Sequence, residues 1–349
     1  MSDAGDCRVV VTGASGALGR RTVAALASSC TVIGIDRRPW PFGVVPAPAE
    51  HHVGDLTVID LDERFAGADV IVHLASAAPD TDVDLEADRR VVAAAGRRGV
   101  AHLVVVSSAT VYGARPDNPV PLTEEHVLRP TASFAYAVVK AELERVTAEW
   151  RRSGPGRTAT VLRPTLTVAS AEHSWLARVF HADAPVRASP TDPPVQFLHY
   201  DDLAAAVALA VAVRPDGSFN VAPDGWMSGA RFQELIGPAP RVRIAEPVAA
   251  GLAAVGWRSR LTDVPPGLVR YGSHPWVVAN DRLRGLGWEP SFSNEEAYVA
   301  AHEANPLTEL TPKRRQELAL SVAGGSILAL VLAAVAVAWR VWFRGRGRS

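Results

Sequence analysis

Cysteine and lysine are both scarce in this chain of 349 residues. Cys7 and Cys30 are its only cysteines, and they lie neither in a CxxC motif nor at a spacing typical of zinc ligands. This excludes a disulfide framework, and we expect both residues to be buried thiols in a reducing compartment. The only lysines are Lys140 and Lys313, although lysine and arginine together number 36. A lysine kept in so arginine-rich a sequence is a candidate functional residue.

A strong net charge is also missing, and so is the pattern of a secreted protein. The formal net charge of −1 gives no general electrostatic case for binding nucleic acid. No basic region precedes the first apolar run, so we expect no secretory signal peptide. The histidines show no ligand spacing such as HExxH, so no metal is expected. With 48% hydrophobic and 21% charged residues, the composition is that of a globular protein.

Short β-branched runs alternate with helix-like segments along much of the chain. The predicted strands are Arg8–Thr12, Thr31–Ile35, Asp69–Leu74, Leu103–Ser107, Ala159–Leu162 and Phe219–Val221. The predicted helices are Ala17–Ser28, Arg89–Arg98 and Ala135–Trp150. This alternation predicts βαβ units and a parallel sheet covered on both faces. From about Thr165 the pattern becomes less regular, which indicates a second, smaller lobe.

A glycine-rich loop, TGASGALG from Thr12 to Gly19, follows the first predicted strand and opens the first predicted helix. That context is typical of a Rossmann-type dinucleotide site. There the glycines allow a tight turn, close approach of the backbone to the pyrophosphate, and close packing of the helix on the sheet. The helix N-terminus adds free N–H groups and the positive end of its dipole. The predicted cofactor contacts in this loop are Gly13, Ser15, Gly16, Ala17, Leu18 and Gly19.

An acidic residue ends the second predicted strand. Asp36 lies about 20 residues beyond the glycines, where a carboxylate accepts hydrogen bonds from the ribose hydroxyls and repels a 2′-phosphate. This favours NAD as the cofactor over NADP. Arg37 and Arg38 follow at once and favour the opposite choice, because either could hold a phosphate. Asp36 and Arg37 are both candidate cofactor contacts.

Tyr136 and Lys140 are four residues apart on a predicted helix and therefore share one helix face. A tyrosine can act as general acid or base toward a substrate hydroxyl or carbonyl, and the nearby ammonium is expected to lower its pKa. Ser107 and Ser108 follow the strand that starts at Leu103, at the sheet edge where ligands bind in open α/β sheets. Ser108 is the preferred candidate for polarising the reacting oxygen, and Ser107 is the alternative.

Together these motifs resemble the ordered set of the extended short-chain dehydrogenases/reductases, the NAD-dependent epimerase/dehydratase family. The resemblance covers roughly residues 8–305 and includes GDL at 54–56, HLAS at 73–76, LRP at 162–164 and FLHYDDL at 197–203. It implies a catalytic set of Ser108, Tyr136 and Lys140. It also implies that Asp55 meets the adenine and that Ala75 lies against the cofactor. The remaining cofactor contacts that it implies are Leu56, Leu74, Ser76, Tyr136, Lys140 and Pro164.

The expected fold is α/β: a Rossmann-type doubly wound parallel sheet with a smaller C-terminal substrate lobe. We assign residues 1–164 to the NAD-binding domain, with a later strand near 218–223, and residues 165–310 to the substrate lobe. The aromatic and histidine side chains expected in that lobe are His173, Trp175, Phe180, His181, Phe197 and His199. Family members often dimerise through a helix bundle that includes the tyrosine-bearing helix, so the resemblance also implies a homodimer.

Three functions are compatible with these motifs. The first is an NAD-dependent oxidoreductase or epimerase acting on a hydroxyl or keto group of a nucleotide-linked sugar. The second is a membrane-anchored 3β-hydroxysteroid dehydrogenase-like or lipid-modifying reductase, and the third is an inactive NAD-binding sensor or scaffold. The chain departs from sugar-nucleotide members just before Tyr136, where Phe134-Ala135 replaces the usual Asn-Pro. It also departs after the LRP motif, at 165–167, and near Asp84, where such members often carry asparagine.

The C-terminal segment contains a long run without charge. Residues 318–339 are 22 residues with no charged side chain, enough to span a hydrocarbon core of about 30 Å. Basic residues flank the run, and Trp339 and Trp342 lie where interfacial aromatics are expected. The run predicts a transmembrane helix, followed by a basic tail at 340–349. We therefore expect a single-pass membrane protein with its catalytic domain in the cytoplasm.

Overall fold

Seven parallel strands form the main sheet of the protein. The computed structural model describes residues 7–75, 85–169, 172–173, 176–177, 186–187, 192–236, 242–261 and 264–301. Across the sheet the strands are β3 (Glu50–Val53), β2 (Thr31–Asp36), β1 (Arg8–Thr12), β4 (Val70–His73), β5 (His102–Val106), β6 (Thr158–Pro164) and β11 (Gly217–Val221). The strand order reverses between β1 and β4, which opens a crevice at their carboxyl ends. This arrangement confirms the predicted Rossmann-type α/β fold.

The strands of the sheet centre are apolar at consecutive positions because both faces of the sheet are covered. Val9 and Val11 pack on one face and Val10 on the other, and all three are fully buried. All six predicted strands are present, with ends within two residues of prediction. The sequence analysis missed β3. This edge strand carries Glu50, His51 and His52, so it lacks the apolar run by which the other strands were found.

Helices cover the sheet on both faces. On one face α1 (Ala17–Leu26) packs against α5 (Tyr200–Val213), and on the other lie α2 (Leu61–Arg64), α3 (Glu86–Arg97) and α4 (Ala135–Arg152). The three predicted helices are present, although α3 begins at Glu86 and not at Arg89. Because the strands of this sheet are all parallel, the loops that follow them lie at one edge of the sheet.

A smaller lobe adjoins the carboxyl edge. In it β7 (Leu166–Ala169) pairs with β10 (Phe197–His199) and β8 (Glu172–His173), and β9 (Val186–Arg187) pairs with β12 (Val242–Arg243). Its helices include α6 (Gly229–Ile236), α7 (Glu246–Arg258) and the 3₁₀ helix Pro266–Gly272. The short helix α8 (Asp281–Arg284) packs against β11 of the main sheet, and α9 (Asn294–Ala301) packs against β7 and β10. The core of this lobe is rich in aromatic residues: Tyr112, Phe134, Phe197, Phe232, Tyr271, Trp276 and Tyr298. The domain boundary at residues 164–165 stays a prediction.

Of the aromatic and histidine residues expected in this lobe, Phe197 and His199 have described side chains, and both pack against other aromatic rings. Phe197 packs in the core against Phe232. His199 stacks on Phe292 with 4.0 Å between the ring centroids, and its Nδ1 accepts a hydrogen bond from the Asp201 amide at the start of α5. Trp175, Phe180, His181 and the His173 side chain lie outside the described residues.

A buried ion pair joins α4 to β6. Arg163 Nη2 lies 2.6 Å from Glu144 Oε2, and the two side chains are only 6% and 7% exposed. Ser107 Oγ donates to the same carboxylate at 2.5 Å, and Arg163 also donates to the Tyr112 hydroxyl at 2.7 Å. That hydroxyl in turn donates to Asn220 Oδ1 at 2.8 Å, so one hydrogen-bonded network connects α4, the segment after β5, β6 and β11.

The two cysteines lie side by side, although they are 23 positions apart in the sequence. Cys7 immediately precedes β1 and Cys30 immediately precedes β2, and the Thr31 amide donates to the Cys7 carbonyl at 2.8 Å. Both thiols are free and half-buried, so the prediction of buried thiols was wrong. They lie at the amino ends of the strands, on the edge of the sheet opposite the glycine loop.

Within the described ranges, no helix has both the length and the apolar character needed to cross a bilayer. The predicted span at 318–339 and the basic tail at 340–349 lie outside those ranges.

Candidate active site

The loops after β1 and β4 touch at the centre of the carboxyl edge. Gly13 has a φ of +75°, a backbone conformation that favours glycine. A Cβ atom at Gly13 would lie 2.8 Å from the Ala75 amide nitrogen, so only glycine allows the two loops to meet. Ala75 follows β4 and is half-buried, as is the adjacent Leu74. The predicted cofactor residues of these two loops are therefore brought together.

The other two glycines of the loop shape the start of α1. A Cβ at Gly19 would lie 2.2 Å from the Gly13 carbonyl oxygen, so this glycine permits the first turn of α1 to pack on the loop. Gly16 is the N-cap of α1, and no side chain caps the helix there. The amides of Ala17 and Leu18 follow directly, at the positive end of the helix dipole. We call the loop from Gly13 to Gly19 the glycine cradle. Together with the uncapped N-terminus of α1, it fits the pyrophosphate of a dinucleotide.

Asp36 binds the glycine loop through its carboxylate. It accepts hydrogen bonds from the Ser15 amide at 3.0 Å and from the Arg38 amide at 2.9 Å. The Ser15 hydroxyl donates to the Arg38 carbonyl at 3.1 Å and lies 3.1 Å from His51 Nε2. The loop after β2 and strand β3 therefore enclose Ser15. The sequence analysis missed His51, because the strand that places it there was not predicted.

The remaining predicted cofactor residues surround this crevice. Asp55 follows β3 and accepts hydrogen bonds from the Thr57 amide and hydroxyl, which hold the pKa of its carboxyl below the ordinary value. Leu56 and Pro164 are buried, and Arg37 is exposed at the end of β2. Ser76 lies outside the described residues. All of these positions remain predicted contacts.

Asp36→Asn is expected to weaken the preference for NAD over NADP by a factor of about 10 to 100, the range of a charge-assisted hydrogen bond. The amide keeps one acceptor for Ser15 and Arg38, but it no longer repels a 2′-phosphate. Calorimetric titration with both dinucleotides measures the change. Asp62→Asn, which removes an exposed carboxylate paired with Arg97 on the neighbouring helices, serves as the control. If Asp36→Asn keeps the same preference for NAD over NADP, Asp36 does not contact the ribose that carries the 2′-phosphate in NADP.

Ser108 and Tyr136 are hydrogen-bonded to each other. Ser108 Oγ accepts from the Thr110 amide at 3.2 Å and from the Thr110 hydroxyl at 3.0 Å. With its two lone pairs engaged, this hydroxyl has its proton available for the Tyr136 oxygen or for a substrate oxygen. Ser107 Oγ instead donates to Glu144. Of the two serines, the fold brings Ser108 to Tyr136.

Lys140 lies one turn after Tyr136 on α4. Its Nζ donates to the Val106 carbonyl at 2.9 Å and lies 5.9 Å from the centre of the Tyr136 ring. Tyr136 is half-buried, and burial raises its pKa to about 12. The hydrogen bond from Ser108 opposes this rise. The ammonium of Lys140 binds the Val106 carbonyl, and the expected lowering of the Tyr136 pKa by its charge is not found.

An aromatic stack holds the Tyr136 ring. Phe134 lies 5.7 Å from Tyr136 and 5.2 Å from Tyr271, measured between ring centroids. The Tyr271 hydroxyl donates to the Thr110 carbonyl at 2.7 Å, which connects the stack to the partner of Ser108. Phe134, one of the departures from the family pattern, thus lies between Tyr136 and Tyr271 of the small lobe. No sequence signal pointed to this stack, since its members are far apart in the chain.

Comparison with known proteins identifies the family. A family model described as the NAD dependent epimerase/dehydratase family matches residues 9–222. The chain belongs to this family. Membership confirms the predicted resemblance, and with it the predictions of an enzyme of this NAD-dependent family and of NAD as its cofactor.

The curated relatives of this epimerase/dehydratase family member match it over part of their length. N-acetyl-α-D-glucosaminyl-diphospho-ditrans,octacis-undecaprenol 4-epimerase of Escherichia coli O157:H7 is 30% identical over 168 residues, which are 45% of this chain and 48% of the relative. An uncharacterised protein of Mycobacterium tuberculosis is 25% identical over 219 residues, 62% of this chain and 57% of the relative. The chain therefore spans about half the length of the curated relatives it matches.

Solved structures share the fold. MoeE5 in complex with UDP-glucuronic acid and NAD has a TM-score of 0.64 at 22% identity, covering 84% of this chain and 97% of that one. UDP-N-acetylglucosamine 4-epimerase from Methanobrevibacter ruminantium M1 has a TM-score of 0.63 at 20% identity, covering 85% and 96%. UDP-glucose 4-epimerase from Thermus thermophilus, in complex with NAD, also has a TM-score of 0.63, at 20% identity, covering 84% and 97%.

Proposed function

We propose that the protein is an NAD-dependent epimerase or dehydrogenase that oxidises a hydroxyl group of a sugar carried on a diphosphate. The observation that carries the proposal is the meeting of Ser108, Tyr136 and Lys140 at the same sheet edge as the glycine cradle. When bound, the nicotinamide supplies the hydride acceptor. An inactive NAD-binding scaffold does not need a serine and a lysine beside a half-buried tyrosine, so this arrangement favours an enzyme over the scaffold alternative.

Proton transfer falls to Tyr136. Its oxygen removes the proton of the substrate hydroxyl as hydride leaves the same carbon, and in an epimerase it returns that proton after the hydride is delivered to the opposite face. Ser108 donates its free proton to the reacting oxygen. Lys140, one turn after Tyr136, would hold a hydroxyl of the nicotinamide ribose when the cofactor is bound.

An anionic carrier on the substrate is supported by the arginines around Tyr271. The charges of Arg115 and Arg270 both act on this tyrosine, and Arg270 Nε also lies 3.2 Å from Glu246 Oε1. Both arginines are half-buried, and Arg115 Nε has no hydrogen-bond partner among the described residues. A diphosphate would satisfy such a guanidinium through charge-assisted hydrogen bonds.

A lipid-linked sugar is the second candidate substrate, and the uncharged run at 318–339 favours it. We infer that this run anchors the protein in the cell membrane, with the catalytic domain on the cytoplasmic side. The Escherichia coli relative, whose name gives a polyprenyl-diphosphate sugar as its substrate, supports the same inference. An anchor would hold the site near a substrate that itself stays in the bilayer.

The test uses the full-length protein in detergent. NAD binding is measured by calorimetry, and turnover is followed by the formation of the epimer from UDP-N-acetylglucosamine and from N-acetylglucosaminyl-diphospho-undecaprenol. Epimerisation of either substrate by the wild type, together with its loss in Ser108→Ala, supports the proposal. The substrate that is turned over faster shows whether the sugar is carried on UDP or on undecaprenyl diphosphate. Tight NAD binding with no turnover of either donor would favour the sensor or the sterol alternative. No NAD binding would contradict the proposal.

A further inference from the structure

One helix of the small lobe, α7 (Glu246–Arg258), has an apolar face that is exposed. Val248, Leu252 and Val255 are 55%, 43% and 66% exposed. Their spacing of i, i+4 and i+7 places them on one side of the helix. Within this fully described helix, Ala249 is the only buried residue. The outer face of a surface helix usually carries polar side chains, and α7 carries valine and leucine there.

The turn that ends α7 extends this face. The Arg260 amide donates to the Trp257 carbonyl at 3.1 Å. The Leu261 amide donates to the Gly256 carbonyl at 2.9 Å, and together these bonds form a Schellman turn. Glycine is usual where Arg260 lies, because φ is positive there, and Arg260 has a φ of +57°. The apolar residue that follows usually packs back on the helix, but Leu261 is 83% exposed.

The charge around this face is positive. Residues 247–261 contain two arginines, Arg258 and Arg260, both exposed, and no acidic residue. The acidic residue that begins the helix, Glu246, is already paired within the lobe. An uncharged apolar face flanked by arginines is typical of a helix that lies in the interface of a membrane with anionic lipids. We call the following residues the α7 surface: Val248, Leu252, Val255, Arg258, Arg260 and Leu261.

The start of α7 adjoins the candidate substrate site. Glu246 Oε1 lies 3.2 Å from Arg270 Nε, and Glu246 Oε2 lies 2.7 Å from His274 Nε2. The helix packs against the 3₁₀ helix that carries Tyr271, whose hydroxyl binds the Thr110 carbonyl of the site. A bilayer in contact with the α7 surface would therefore lie beside an arginine that supports an anionic carrier on the substrate.

We propose that the α7 surface rests in the headgroup region of a bilayer containing anionic phospholipid, and that this contact presents the site to a sugar diphosphate carried on a membrane lipid. The inference rests on the proposed function and deepens it, because it selects the lipid-linked sugar over the free nucleotide sugar. Residues 302–317 separate α9 from the uncharged run at 318–339 and reach at most about 55 Å. Such a tether would hold the α7 surface near the bilayer.

The first test measures contact with lipid. In the full-length protein carrying Cys7→Ala and Cys30→Ala, Val255→Cys is labelled with a nitrobenzoxadiazole fluorophore. The protein is then reconstituted with vesicles of phosphatidylcholine and phosphatidylglycerol. We expect blue-shifted emission, weak quenching by aqueous iodide and strong quenching by brominated lipid, because the apolar face of an interfacial helix enters the headgroup boundary.

Val213→Cys in the same background is the matched control. Val213 is also an exposed valine at the surface of a helix, 49% exposed at the end of α5. Its label should be quenched several-fold more strongly by iodide than the label at position 255, and brominated lipid should not affect it. Vesicles of phosphatidylcholine alone should weaken the lipid contact at position 255, since the arginines of the α7 surface then meet no anionic headgroup.

Turnover gives the second test. Leu252→Glu combined with Val255→Glu places two negative charges on the α7 surface, away from the cofactor and the proton-transfer residues. Turnover of N-acetylglucosaminyl-diphospho-undecaprenol in the anionic vesicles should fall at least several-fold, whereas turnover of UDP-N-acetylglucosamine and the binding of NAD should be unchanged. Val213→Glu should alter none of the three. An equal loss with both substrates would contradict the inference.

The two tests separate the inference from the proposed function. A wild type that turns over neither substrate would count against the proposed function alone, because the label would still decide whether α7 contacts lipid. A label at position 255 that stays open to iodide and insensitive to brominated lipid would overturn the inference, whatever the enzyme turns over. A label shielded from iodide but insensitive to brominated lipid would also overturn it, since protein and not lipid would then cover α7.

Discussion

Replacing Tyr136 with phenylalanine is expected to lower kcat by a factor of about 10² to 10⁴ while leaving NAD binding unchanged. The substitution keeps the ring, which packs against Phe134, and removes only the hydroxyl that Ser108 binds. The proposed proton transfer then has no acceptor, whereas the glycine cradle is untouched. Steady-state turnover of the accepted sugar diphosphate and calorimetry with NAD measure the two effects separately.

Tyr298→Phe provides the matched control for this substitution. Tyr298 packs against Phe197 and Phe232 in the core of the small lobe, away from the proton-transfer set, so kcat should be unchanged. Ser108→Ala should lower kcat, whereas Ser107→Ala should mainly lower stability because Ser107 binds Glu144. If the two serine variants behave in the opposite way, Ser107 is the catalytic serine. Full activity in Tyr136→Phe would exclude Tyr136 as the acid–base residue.

The environment of Tyr136 also sets the sign of the pH dependence. Burial raises the pKa of Tyr136 to about 12, so in the free enzyme the phenol keeps its proton at neutral pH. The base form becomes more populated as the pH rises, and the rate of alcohol oxidation should therefore increase through the neutral and mildly alkaline range. A rate that falls over this range would contradict the assignment of Tyr136 as the base.

Glu144→Gln is expected to lower the free energy of unfolding by about 3–5 kcal/mol, the usual effect of removing one partner of a buried ion pair. Arg163 would keep its charge in a site where it is only 6% exposed. The Ser107 and Tyr112 hydroxyls would lose part of the network that they complete. Urea denaturation measures the change in the free energy of unfolding, which is obtained from the midpoint and the slope of the transition.

Glu149→Gln on the same helix is the control for this prediction. Glu149 pairs with Arg145 at the surface, where both side chains are about half exposed, and such pairs contribute roughly 0–1 kcal/mol. The double substitution Glu144→Leu with Arg163→Met should be milder than Glu144→Gln, because it leaves no unpaired charge. Equal denaturation midpoints for Glu144→Gln and Glu149→Gln would show that the buried pair contributes no more than a surface pair.

The local sequence pattern was sufficient to predict most strands of the sheet and the glycine-rich loop. The strands β1, β2, β4, β5 and β6 contain runs of consecutive apolar residues because both faces of the sheet are buried, and these runs are visible in the sequence. The glycines of the loop from Thr12 to Gly19 each meet a backbone atom that a Cβ would overlap or crowd, so their spacing identifies the loop. The edge strand β3 escaped prediction because solvent reaches it and its residues need not be apolar.

The sequence by itself determined the family, the Rossmann-type sheet, the glycine cradle and the pairing of Tyr136 with Lys140, since each depends on residues close together in the chain. Only the tertiary structure decided that Ser108, and not Ser107, binds Tyr136, because this depends on how the 3₁₀ turn after β5 packs against α4. It alone brought Asp88 to His73 and His73 to Thr12, which is 61 residues away. Those contacts form only when parallel strands and their helices pack together, and no local spacing encodes that packing.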